Sequence, residues 1–215
     1  MSTPPLTTSE STTAVVIGTG LSGLAVAGEL SRHGVSTVTV EGLESGAPAT
    51  ATTALRVTDL ASAESVEYLE VIRHLRKHAA SHSLDVRATV RAQHLALVEQ
   101  PHPGSRLRWA VRTESGVIFA DAVVLTRCAH NQLRRFLADL GFSLGEKLME
   151  ELASIGLYLI GVAELSSPST RELLWQAKNV GRAVAEATGA PRAGHGTHDA
   201  VRPPTGQFAS PLQPA

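Results

Sequence analysis

The chain has 215 residues, 43% of them hydrophobic and 18% charged, which suits a globular domain able to bury a core. A net charge of −1, with no basic run interleaved with aromatics, sets nucleic-acid binding aside and offers no pull toward an anionic membrane. Cys128 is the only cysteine, which excludes an internal disulfide framework, a CxxC pair and a cysteine-rich zinc site.

The first residues, MSTPPLTTSESTT, lack the charged start and apolar stretch of a signal peptide, and no apolar run reaches bilayer-crossing length, so a cytoplasmic location is expected. Residues 1–12 read as a disordered lead-in and the Pro/Gly-rich residues 190–215 as a disordered tail. Residues 13–189 form the expected single folding unit. Ala14–Ile17 is a buried parallel strand by its apolar run, Leu21–His33 a helix stopped by Gly34, and Val35–Val40 a second strand. Glu64–Ser83 is an amphipathic helix with Tyr68, Leu69, Ile72, Leu75 and Ala79 on one face. Leu84–Arg87 follows as a third strand. Thr89–Val98, Leu107–Thr113 and Val117–Phe119 are the strands of a small meander near residues 89–120, and Asp121–Thr126 is a separate buried strand. Helices near Asn131–Leu140 and Gly145–Leu152, a strand at Leu157–Val162 and a helix at Ser169–Ala187 complete the order. The fold class is α/β, a Rossmann-like parallel sheet with flanking helices plus a small antiparallel β-meander.

Between the first strand and the first helix stands Gly18-Thr-Gly20-Leu21-Ser22-Gly23. In this setting Gly18 permits the tight turn, Gly20 lets the backbone approach a pyrophosphate, and Gly23 lets the helix pack near the strand. The helix N-terminus then presents unpaired N–H groups and a positive dipole end to the anion. Seventeen residues separate Gly23 from Glu41, which ends the second strand, where a carboxylate accepts both ribose hydroxyls of an adenosine and repels a 2′-phosphate. A dinucleotide site follows, with NADP(H) disfavoured.

Beyond this motif the chain resembles the two-dinucleotide-fold flavoproteins, in particular flavin-containing and Baeyer–Villiger-type monooxygenases. YLEVIRHLRKHAASHSLDVRATVRAQHLALVE is similar to their helix, third strand and first meander strand, TESGVIFADAVVLT to the segment leading into their VVxATG strand, and IGLYLIGVAEL with STRELLWQAKNVGRAVAEA to their closing strand and helix. The resemblance implies FAD as the cofactor, with NAD as the alternative, a Val90 backbone contact to the adenine, and Gly161 near the phosphates or ribityl chain. It also implies an oxidoreductase acting on a small organic substrate. The chain departs from the pattern in three ways. The GG-x-W after the acid is missing, with only Gly46 in EGLESGAPAT. The ATG signature is replaced by Thr126-Arg127-Cys128. No second GxGxxG is present, and no stretch has room for a second nucleotide domain. These departures point to an FAD domain without its own nicotinamide site. Such a domain would take reduced flavin or electrons from a reductase or other protein partner in a homo- or hetero-oligomer, or use FAD without net hydride transfer from NAD(P)H. A non-catalytic flavin- or NAD-binding subunit and an NAD(H)-dependent enzyme stay open beside this reading.

Four further groups have a possible bearing on function. Arg127 either pairs with the pyrophosphate or blocks close approach. His130, after the strand that replaces ATG, is a candidate acid or base, with a solvated loop histidine as the plainer reading. His74, His78 and His82 stand four apart on one helix, a spacing open to metal but more often a solvated face. Trp175 reads as core packing of the last helix, with stacking near the flavin or an oligomer interface as the alternatives.

Overall fold

A computed structural model describes residues 8–43, 63–99, 107–126, 130–142, 147–161 and 168–189. The order is β1 (Thr8–Ile17), α1 (Leu21–Arg32), β2 (Thr37–Val40), α2 (Ala63–Ser81), β3 (Asp85–Arg87), β4 (Ala92–Glu99), β5 (Leu107–Thr113), β6 (Gly116–Thr126), α3 (His130–Asp139), α4 (Leu148–Ser154), β7 (Leu157–Ile160) and α5 (Thr170–Thr188). One seven-stranded sheet runs β3-β2-β1-β6-β5-β4, with β7 also paired to β6. The pairs among β3, β2, β1, β6 and β7 are parallel, and β5 is antiparallel to both β6 and β4. This is a mixed α/β fold of Rossmann-like type.

Period-two alternation assigns the two faces. Val15 and Ile17 of β1 join Val38, Trp109, Val123, Leu125, Leu137, Leu152 and Leu157 in one cluster. Ala14 and Val16 turn the other way, into a cluster with Val26, Leu30, Val124, Tyr158, Ile160 and Val184. The first face is covered by α3, α4 and the antiparallel strands, the second by α1 and α5. Both faces being buried, the central strands are apolar without interruption, which is why AVVI and AVVL could be read as strands. Two helix ends follow the usual chemistry. The side chain of Ser169 accepts from Glu172 N at 3.2 Å at the start of α5, and Gly189 closes that helix in the left-handed region with φ 68°.

Four expectations are corrected. The strand β1 starts at Thr8, inside the segment expected to be a lead-in, because Thr8–Thr12 pair with Gly116–Ala120 of β6. Backbone pairing needs no apolar side chains, and this stretch has an exposed side, so its polarity hid a strand. The last meander strand and the strand expected at Asp121–Thr126 are one element, β6. It holds a single register with β1 while its opposite edge passes from β5 to β7. The meander therefore shares the parallel sheet. Leu69 lies exposed on α2, and Trp175 is 66% exposed on α5 rather than packed in the core. Cys128, Gly46, His195 and His198 lie outside the described residues.

Candidate functional site

The parallel strands β2, β1, β6 and β7 end level with one another, through Ile17 opposite both Val40 and Leu125 and Thr126 opposite Ile160. Whatever follows each strand emerges along one carboxyl edge, where ligands bind in open α/β sheets. That edge gathers Gly18–Gly23 after β1, Glu41 after β2 and Gly161 after β7.

The glycines differ in what constrains them. Gly18 has φ +127°, and a Cβ there would lie 1.9 Å from Thr126 Oγ1. The Thr126 hydroxyl is fixed in that place by donating to Ile17 O at 2.9 Å, across the β1–β6 seam. A Cβ on Gly23 would lie 1.7 Å from Gly18 O, so the first turn of α1 rests on the β1 turn itself. Gly20 is the N-cap of α1 in extended conformation, and no atom of the described residues lies within 4 Å of where its Cβ would be. That open space borders the helix N-terminus. The first intrahelical bond of α1 runs from Leu24 N to the Gly20 carbonyl at 3.0 Å, and no described side chain caps the helix. The amides of Leu21, Ser22 and Gly23 therefore have no acceptor within the helix. Ser22, only 1% exposed, keeps a hydroxyl with no hydrogen-bond partner in the same turn. A cradle open at Gly20 and lined by donors fits a pyrophosphate.

Glu41 is set at the site by backbone. Gly18 N donates to Val40 O at 2.8 Å, Glu41 N to Val90 O at 2.8 Å, and Ala92 N to Gly42 O at 2.8 Å. The loop after β3 is thus zipped to the end of β2, and Val90 is brought beside Glu41. Arg91, next in the chain, donates from Nε to Glu41 Oε2 at 3.1 Å and from Nη2 to Oε1 at 3.4 Å. Gly161 has φ +70°, and its N–H donates to Gln176 Oε1 of α5 at 3.1 Å. His130 opens α3, while Arg127 lies outside the described residues.

The sequence reading missed Arg91, Thr126 as the residue standing over Gly18, and Gln176 as the partner of Gly161. An arginine next to Val90 was the one available hint for the first. On α2, the His78 and His82 rings stand 4.2 Å apart, centre to centre, and among the described residues no three His, Cys, Asp or Glu side chains gather to hold a metal. A separate ion cluster joins Arg87 to Glu10 and to Asp85, with Arg87 Nη2 2.9 Å from Glu10 Oε2 and 2.7 Å from Asp85 Oδ2. Hydrogen bonds from those carboxylates, Glu10 first, push the guanidinium above its already high range.

No family model matches the chain, and no curated protein does. Among solved structures the chain is similar to THI4 of Thermovibrio ammonificans, with 15% identity over 84% of this chain and 89% of that one and a TM-score of 0.48. A geranylgeranyl bacteriochlorophyll reductase-like protein of Thermoplasma acidophilum gives 11% identity, 85% and 80% coverage and a TM-score of 0.48. A flavin monooxygenase of Stenotrophomonas maltophilia gives 19% identity over 54% of this chain, a TM-score of 0.36, and a match spanning 38% of its own length. These superpositions are partial, and the fold assignment rests on strand order and register.

Proposed function

We propose that the chain binds FAD at the Gly18–Gly23 turn and serves as an oxidoreductase of monooxygenase-like ancestry on a small organic substrate. The observation that carries the reading is the difference among the three glycines. Gly18 and Gly23 are held against neighbours, whereas Gly20 faces open space at a helix N-terminus without a capping side chain. In this reading the amides of Leu21 and Ser22 and the Ser22 hydroxyl receive the pyrophosphate. Glu41 takes the adenosine ribose, Val90 borders the adenine, and Gly161 lies beside the rest of the cofactor. The cofactor supplies the redox chemistry, and the protein supplies position and a dry setting. A reductase or another protein partner belongs to this reading as the source of electrons.

The test is the absorption spectrum of the purified full chain, before and after incubation with FAD and removal of excess. Flavin bands that stay with the protein are expected. A chain that stays colourless yet binds NADH would sink the FAD reading and leave NAD as the occupant.

A further inference from the structure

We propose that Arg91 is a positioning residue that occupies the ribose-binding edge of Glu41 until an adenine nucleotide displaces it. The inference rests on the adenosine reading of Glu41 and concerns how that site is held before binding. The Arg91 fork spans both carboxylate oxygens, with Nε 3.1 Å from Oε2 and Nη2 3.4 Å from Oε1. A vicinal diol donating two O–H bonds to the same carboxylate needs the same outward edge. A bidentate donor of fixed geometry and a diol compete for it. The backbone on both sides of Arg91 is pinned, by Glu41 N to Val90 O and by Ala92 N to Gly42 O, each 2.8 Å. The guanidinium is therefore delivered to Glu41 by the same zipper that would bring Val90 to an adenine.

The pair is also open to water, with side-chain exposures of 56% for Arg91 and 39% for Glu41. Exposed ion pairs are worth little, so a ligand that takes over the Glu41 oxygens gives up little in breaking this one. Displacement thus reduces the gain from each ribose hydroxyl without abolishing binding.

Titration calorimetry of the full chain with 5′-ADP and with 2′-deoxy-5′-ADP, at about 0.15 M salt, tests this in wild type, Arg91→Ala and Arg91→Lys. The ratio of the two affinities isolates the hydroxyl, because the charge effects of removing a cation act on both nucleotides alike. The ratio is expected to rise in Arg91→Ala by up to about fivefold, the equivalent of an exposed pair. Arg91→Lys should lie between, since an ammonium leaves one carboxylate oxygen open. An unchanged or smaller ratio, with both nucleotides still bound, overturns the proposal alone. Failure of all three proteins to bind either nucleotide overturns it together with the adenosine reading beneath it.

Discussion

At Gly20 an added methyl group meets none of the described residues, while at Gly23 it meets the carbonyl oxygen of Gly18 at 1.7 Å. One motif thus contains two residues kept small by the fold and one whose smallness the fold itself does not require. Gly23→Ala must shift backbone, at a cost on the order of 1–3 kcal/mol. The expected fall in melting temperature is roughly 2–4 °C per kcal/mol for a chain of this size. Gly20→Ala should stay within about 1 kcal/mol of wild type, the scale of an N-cap change. Equal melting temperatures for the two variants would contradict the assignment of these roles. Most of this turn was legible in the sequence, because a glycine's reasons are local to the strand–turn–helix it joins. Thr126 and Arg91 were not, since each acts on a residue far away in the chain, 109 positions for Thr126 with Ile17 and 50 for Arg91 with Glu41.

Elements obey the same division between local and distant causes. The helix α5 could be read from its spacing, its Ser169 cap and its closing Gly189. The outward position of Trp175 could not, because which flank of an amphipathic helix is covered depends on its neighbours. Asp121 interrupts the apolar pattern of β6, so the sequence suggests two strands where the backbone continues in one register with β1. On β5, Trp109 is fully buried and its Nε1 donates to Ile155 O at 2.8 Å, tying the antiparallel strands to the turn before β7. Trp109→Phe leaves that carbonyl unpaired and a gap beside it, so a loss of about 1–3 kcal/mol in urea unfolding is expected. A change under about 0.5 kcal/mol would show that the tie contributes nothing. On β7, burial pushes the Tyr158 hydroxyl above the usual tyrosine range. Its folded-state pKa exceeds the unfolded one, so the fold is unaffected below about pH 10. Stability then falls as pH rises past that value, because the unfolded chain releases the proton first. Tyr158→Phe should flatten this alkaline loss in a pH series of melting curves, and an unchanged slope would exclude Tyr158 as its source.

For the whole molecule, one sheet buried on both faces carries its chemistry-bearing residues along a single carboxyl edge. The class of fold was readable from the order of apolar runs, whereas the union of meander and parallel core depended on β6 serving both. A ligand held at that edge touches the ends of several strands at once and stabilises the fold by mass action. At a hundred times its dissociation constant, FAD should add about 2.7 kcal/mol. That corresponds to roughly 5–11 °C in melting temperature. The most direct measurement is an FAD titration of wild type and Gly20→Val, followed by flavin fluorescence, with both melting temperatures recorded. The account predicts saturable binding by wild type and none by a Gly20→Val variant that still melts near the wild-type temperature without ligand. Equal FAD binding by the two proteins would contradict the site.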